Sequence, residues 1–228
     1  MKKTVKFFKE LIHIILGFLK NRKLFSNGIF FEKTRSYRIN QLYNFYYIFK
    51  NNFKHDKNFH SNSESNKEFY GSIVHAKPFQ VSPLLRFNKL IKQINVNIKD
   101  FNFLDLGSGG GILLHFVLSN YNFKSYYGIE FDKYLVQVSN KNLKKFKNKV
   151  EIVHNDVNFF LIKDEKYIVY LYNSFDETII KNFIDNNLDF LTKNECILLY
   201  QNDFYKSYIK EKCKKEFIVE NGLSIFYF

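Results

Sequence analysis

The stretch that most constrains this chain is Phe101-Asn102-Phe103-Leu104-Asp105-Leu106-Gly107-Ser108-Gly109-Gly110-Gly111. An apolar segment ends on Asp105, turns through Gly107, Gly109 and Gly111, and enters the apolar run Ile112 to Leu118, which can start a helix. The pattern is that of a strand, a glycine turn and a helix N-terminus. Glycines let the backbone take positive φ and let a ligand approach the main chain, and the first free N–H groups of the helix favour an anionic group. A nucleotide-like cofactor suits such a turn.

Spacing narrows the choice of cofactor. A dinucleotide fingerprint, G-x-G-x-x-G, would put its third glycine at position 112, which is Ile112. A phosphate-cradling P-loop needs Gly-Lys-Ser/Thr, and no lysine follows these glycines. What stands here is Asp-x-Gly-x-Gly-x-Gly with Asp105 at the strand end. This resembles motif I of the class I S-adenosylmethionine-dependent methyltransferases, and the resemblance implies S-adenosyl-L-methionine as cofactor.

Alternating strand and helix patterns surround this motif. Val81-Ser82-Pro83 precedes Leu84, Leu85, Phe87, Leu90, Ile91 and Ile94 at helical spacing, with Ser82 placed as cap and Pro83 at the first helical position. Strands are expected at Ser125 to Glu130, Val150 to His154, Tyr167 to Tyr172 and Cys196 to Gln201, and helices at Tyr134 to Phe146, Thr178 to Leu191 and Tyr205 to Lys215. Phe217 to Val219 and Ser224 to Phe228 form a closing hairpin around Asn221-Gly222. The expected fold is α/β, a Rossmann-like doubly wound seven-stranded methyltransferase sheet with a C-terminal antiparallel hairpin and a helical basic N-terminal extension.

Charge separates the two parts. Residues 1–100 carry 19 Lys plus Arg against 6 Asp plus Glu, whereas residues 101–228 carry 16 of each, so the net charge of +13 is all N-terminal. Such asymmetry suits an anionic partner: a membrane surface, an acidic or phosphorylated substrate, or nucleic acid. Lys, Asn, Phe, Tyr and Ile are abundant throughout, so single lysines weigh little. The apolar run Leu11 to Leu19 is too short to span a bilayer, which needs about 20 residues. A basic amphipathic helix within residues 1–25, in peripheral contact with anionic lipid or packed on the domain, fits better. Tyr37 to Phe53 interleaves aromatics with Arg38 and Lys50, and Lys50 to Lys67 is polar and low in complexity, a linker. The division is therefore 1–68, a basic aromatic extension and linker, and 69–228, the methyltransferase domain. Cys196 and Cys213 have neither metal-ligand nor disulfide-framework spacing; they suit a cytoplasmic location, and no metal is expected.

Candidate site residues stand at successive strand ends. Glu130 follows Asp105 by one β-α unit and can accept two hydrogen bonds from the hydroxyls of an adenosine ribose. Phe131 is placed against the adenine ring. By resemblance to the family, Asp156 would accept from the adenine amino group and the Val157 N–H would bind a ring nitrogen. Tyr172-Asn173-Ser174-Phe175-Asp176-Glu177 is similar to the Asn-Pro-Pro-aromatic motif of amino-group methyltransferases: Asn173 would accept from the nucleophilic nitrogen and Phe175 would stack on it, while Ser174 departs from proline. Asp176, Glu177 and His115 are candidate general bases for a hydroxyl acceptor, with His115 better placed for the core. The wider match, over residues 69–228, is to a bacterial branch of small class I methyltransferases with Asn-Pro-Phe-Asp-Glu at the corresponding place. It implies methyl transfer to an N or O acceptor: a small molecule, a glycan precursor or a protein amine. Methylation of rRNA or tRNA, and cofactor binding without catalysis, are the alternatives.

Overall fold

The computed structural model describes residues 28–53, 81–172 and 174–228. The chain divides into two compact units, residues 1–53 with 83–85, and residues 54–82 with 86–228. The expected basic helix at residues 1–25, most of the polar linker and Asn173 lie outside the described residues.

In the first unit, α1 (Gly28–Lys50) forms over 23 residues that contain no proline and no glycine beyond the first. The aromatic segment ends this helix on itself. Tyr43 and Tyr47 stack with ring centroids 6.3 Å apart, Tyr47 meets Phe53 at 5.9 Å, and the Phe53 N–H donates to the Ile48 carbonyl at 3.1 Å. The Leu84 N–H donates to Asn44 Oδ1 at 3.1 Å. Leu84 opens α2 (Leu84–Ile91), so its orphan donor is capped by Asn44. Ser82, expected as that cap, hydrogen-bonds instead with Tyr170 inside the second unit.

The second unit is one seven-stranded sheet. Its strands are β1 (Asn102–Leu106), β2 (Ser125–Glu130), β3 (Val150–His154), β4 (Tyr167–Tyr172), β5 (Ile197–Gln201), β6 (Lys215–Glu220) and β7 (Leu223–Tyr227), in the order β3-β2-β1-β4-β5-β7-β6. The first five are parallel, and β7 joins β5 antiparallel with β6 outside it. Every residue of β1, β4 and β5 is buried, as expected of strands covered on both faces, while at the two edges β3 is mostly half-buried and β6 mixes half-buried with exposed residues. Strand order reverses between β1 and β4, and in open α/β sheets the crevice at such a switch point holds the ligand.

Helices cover both faces. On one, Phe103 of β1 and Tyr170 of β4 meet Phe87 of α2 edge-on at 5.8 and 5.2 Å. On the other, Leu104, Val169, Leu171, Leu198 and Phe226 pack with Ile179, Phe183 and Ile184 of α5 (Glu177–Lys193). Between them in sequence lie α3 (Ile112–Asn120) and α4 (Lys133–Asn142), the latter capped by Asp132, whose carboxylate accepts from Leu135 N at 2.9 Å. The last helix is α6 (Lys206–Lys212).

Three helices stop short of expectation: α2 ends at Ile91, before Ile94, with the Gln93 N–H turning back to the Leu90 carbonyl at 3.0 Å, and two more end early for local reasons. α4 ends at Asn142 because the Asn142 side chain donates to the Gly110 carbonyl at 2.8 Å and Leu143 turns in beside Gly111; a 3-10 turn, Lys144–Phe146, follows. α6 ends at Lys212 because Lys214 N–H donates to the Tyr227 carbonyl at 2.8 Å, drawing the chain into β6. The hairpin turns at Asn221-Gly222 as expected, with positive φ at Gly222 and a register shift between Ile218 and Glu220. Both cysteines are free, and no described helix is long and apolar enough to cross a membrane.

Candidate functional site

The glycine turn crosses the carboxyl end of β1. Gly107 and Gly111 have φ of +71° and +73°, a region that costs a side-chain-bearing residue roughly 1–2 kcal/mol. Space is short as well: a Cβ on Gly107 would lie 2.7 Å from Ser174 Cβ and Oγ, and one on Gly111 would lie 2.4 Å from Ser139 Oγ. The turn is pinned from β2, since the Gly107 and Ser108 N–H groups both donate to the Ile129 carbonyl at 2.9 Å.

Glu130 does more than project from a strand end. Its Oε2 accepts from Gly109 N at 2.8 Å and its Oε1 from Asp132 N at 2.9 Å, so this one carboxylate orients both the glycine turn and the entry to α4. Each oxygen keeps a further lone pair for a ligand hydroxyl. Burial pushes the Glu130 carboxyl up to about 7 despite those N–H donors. Asp105 is pushed up to about 8, by burial first and by the neighbouring Glu130 charge second. Asp105 also lines a small cleft with Val81, Ser82, Gly107, Ser108, Gly110, Ile112 and Leu113.

At the end of β3, Asp156 Oδ1 accepts from Asn158 N at 2.8 Å and caps the 3-10 turn Val157–Phe159. Its Oδ2 is buried and has no partner. A buried acceptor left unpaired costs about 1–3 kcal/mol, which a ligand donor would recover. Val157 is buried, and Phe131 is half-buried with its carbonyl 2.9 Å from His154 Nε2. His154 is thus engaged with the main chain.

The end of β4 is organised differently. Ser174 Oγ donates to the Tyr172 carbonyl at 2.8 Å. Phe175 is 6% exposed and belongs to the apolar cluster under α5, its ring tip packed beside Gly107. Asp176 is the cap of α5, its Oδ1 accepting from Thr178 N at 3.0 Å and Ile179 N at 3.4 Å. Glu177 is exposed and lies 3.2 Å from Lys181. His115 is buried against Phe146 with ring centroids 5.3 Å apart, and burial, then the Lys145 charge, lowers its pKa to about 4. It is a neutral core histidine.

Two contributors escaped the sequence. Ser108 lines the cleft with a buried Oγ that has no partner, and Tyr170 joins Ser82 to Gln201, donating to Gln201 Oε1 at 3.2 Å. The signal for Tyr170 was strand alternation, which places it on the face of Phe103 and Asp105, paired directly with Asp105 in the β1–β4 register. No group of residues able to hold a metal ion occurs among the described residues.

An unpaired buried acceptor at Asp156, another at Ser108 and a turn that only glycine can occupy form a cradle that fits an adenosyl cofactor, as the sequence motif implied. A parallel sheet that reverses between β1 and β4 and closes with an antiparallel β7, with acidic residues ending β1 and β2, makes this chain a class I S-adenosylmethionine-dependent methyltransferase. The family is more specific: the ribosomal RNA adenine dimethylase model matches residues 52–206, more than half of the chain, and the chain belongs to that family. No curated protein sequence matches it. Similar solved structures include the pyocyanin biosynthetic protein PhzM, with a TM-score of 0.48 at 11% identity over 62% of this chain and 53% of that one. TrmK of M. capricolum in complex with S-adenosylhomocysteine gives 0.42 at 16% over 62% and 66%. An RNA methyltransferase of Salinibacter ruber in complex with S-adenosylhomocysteine gives 0.47 at 17% over 66% and 92%. The chain thus spans about half of PhzM and just under two thirds of TrmK.

Proposed function

We propose that this chain methylates an amino nitrogen of an RNA base. The observation that carries the proposal is the packing of Ser174 and Phe175 directly on Gly107, which sets the acceptor-side end of β4 against the cofactor turn. Family membership supports RNA as the acceptor class, and Asn173-Ser174-Phe175 supports nitrogen.

S-adenosylmethionine, when bound, supplies a methyl group on a positively charged sulfur. Glu130 would hold the ribose hydroxyls, Asp156 Oδ2 the adenine amino group and the Val157 N–H a ring nitrogen, with Phe131 against the base. Asn173 accepts a hydrogen bond from the acceptor amine and orients its lone pair, so that alignment and exclusion of water provide most of the rate. Phe175 shapes the floor by packing on Gly107. Asp176 is the carboxylate assigned to the proton that leaves the nitrogen. Residues 69–228 carry the reaction, and residues 1–68, with their excess of positive charge, help to hold the acceptor.

The test is methyl transfer from labelled S-adenosylmethionine to ribosomal RNA lacking adenine methylation, followed by nuclease digestion and identification of the labelled nucleoside. N-methylated adenosine is expected. Label in a protein or glycan fraction with none in RNA would end the RNA assignment, and failure to bind S-adenosylhomocysteine by calorimetry would end the cofactor roles. One observation favours a second reading, cofactor binding without transfer: Phe175 is buried in the core cluster under α5.

A further inference from the structure

Residues 133–150 contain six lysines and no aspartate or glutamate, and five of the six, Lys141, Lys144, Lys145, Lys147 and Lys149, fall within nine residues. All five are exposed. None of them is paired with a carboxylate among the described residues. Elsewhere on this domain lysines are interleaved with acids: Lys206 lies 3.5 Å from Asp203, Lys210 3.3 Å from Glu216, and Lys193 bonds Asp164. What sets residues 141–149 apart is five exposed lysines within nine residues and no acidic residue among them.

The backbone makes this cluster a ridge. After α4, Phe146 N–H donates to the Leu143 carbonyl at 2.7 Å and Lys149 N–H to the Phe146 carbonyl at 2.8 Å, two tight turns in succession. Leu143 is buried and Phe146 packs on His115, so the apolar residues face inward and the lysines are left outside. The ridge is also tied to the cofactor turn, through Asn142 Nδ2 on the Gly110 carbonyl at 2.8 Å and Leu143 beside Gly111.

We propose that residues 141–149 are a docking ridge for the sugar-phosphate backbone of the RNA acceptor, an inference that rests on the RNA reading above. Compact ammonium groups, with no arginine among them, suit sequence-independent contact with phosphates, which positions a nucleic acid without reading it. A membrane is disfavoured as the occupant because Leu135, Val138 and Leu143 are buried, and Tyr134 is the one large apolar side chain of residues 133–150 exposed. Phosphate contact needs only spaced cations.

The experiment uses the full chain and unmethylated ribosomal RNA, with affinity measured by fluorescence anisotropy across a salt series. One variant combines Lys141→Gln, Lys144→Gln, Lys145→Gln and Lys147→Gln; a charge-matched control combines Lys181→Gln, Lys193→Gln, Lys206→Gln and Lys210→Gln. For the ridge variant the slope of log affinity against log salt should fall by about 3, from roughly 0.7 per single-stranded phosphate contact, with affinity at physiological salt reduced on the order of tenfold. The control should bind like the unaltered chain, and the ridge variant should keep its S-adenosylhomocysteine affinity and melting temperature. An unchanged slope in the ridge variant overturns the proposal, as does an equal loss in both variants. Loss of sedimentation with phosphatidylserine vesicles while RNA binding is kept overturns it in favour of a lipid surface. If the unaltered chain neither binds nor methylates RNA, the RNA reading itself falls; if it does both and only the ridge variant is indifferent, the ridge alone is wrong.

Discussion

The carboxyl ends of β1, β2 and β3 keep hydrogen-bonding capacity in reserve, whereas the carboxyl end of β4 has spent most of its own on the fold. On the first side, Asp156 Oδ2 and Ser108 Oγ are buried without partners, and Asp105 and Glu130 are carboxyls held well above their ordinary range by burial. On the second, Ser174 bonds the preceding turn, Phe175 fills the core and Asp176 caps α5. A buried polar group without a partner calls for an explanation, and beside the glycine turn a bound cofactor would supply one. The contrast supports the proposed division, with the cofactor held at the ends of β1, β2 and β3 and the acceptor met at the end of β4.

Gly107 joins the two sides, so it should give the largest effect. Gly107→Ala adds a left-handed penalty of about 1–2 kcal/mol and drives a Cβ into Ser174 at 2.7 Å, an overpacking cost of a further 1–3 kcal/mol. S-adenosylhomocysteine affinity should fall on the order of 100-fold by calorimetry. Adding Ser174→Gly removes the clash but not the φ penalty, so it should restore part of that loss. No restoration would mean that the two sides are not in contact there. Asp156→Asn comes next. It keeps a cap oxygen for Asn158 N but makes the buried face a donor or a neutral acceptor, costing about 1–3 kcal/mol, or roughly tenfold to 100-fold, in cofactor affinity with little change in melting temperature. Equal losses in affinity and stability would return Asp156 to a purely structural role.

pH sharpens the same contrast. Asp105 and Glu130, at about 8 and about 7 when folded, ionise lower in the unfolded chain. Between pH 4 and those values the folded state holds more protons, so the stability of the ligand-free protein falls as pH rises across that window and levels off above it. Ribose hydroxyls donate best to an ionised Glu130, so cofactor binding releases protons and affinity should rise with pH up to about 7, by at most about tenfold per unit for one group. Glu130→Gln should remove its share of both trends. An affinity flat from pH 5.5 to 8 in the unaltered protein would show that neither carboxyl meets the cofactor.

How far the sequence could be read follows the same division. β2, β3 and β4 fall where their apolar patterns and turn residues placed them, and the spacing of Gly107, Gly109 and Gly111 identified the turn because only that backbone needs them. Tertiary contacts were harder to see. α4 stops where Asn142 finds the Gly110 carbonyl, and α6 where Lys214 joins the sheet, and neither partner is near in sequence. Glu130 as the organiser of the Gly109 N–H was hidden for the same reason. Phe175 was ambiguous in a different way: an aromatic residue after a strand reads alike whether its ring turns toward an acceptor or into the core, and only packing on Gly107 decides.

Asp176 gives the smallest expected effect and the finest discrimination. Asp176→Ala removes the cap of α5 and should lower stability by about 1 kcal/mol, a shift of a few degrees in melting temperature. Asp176→Asn keeps an oxygen for the Thr178 and Ile179 N–H groups, so stability should stay near that of the unaltered chain. If Asp176 also takes the proton from the acceptor nitrogen, the asparagine variant is the one that separates the roles: cofactor affinity and melting temperature hold while the rate of methyl transfer drops, with the loss in kcat rather than KM. An asparagine variant with full activity would assign Asp176 to the fold alone. The β4 end would then contribute only Asn173 to the reaction, and the difference between the two sides of the site would be sharper still.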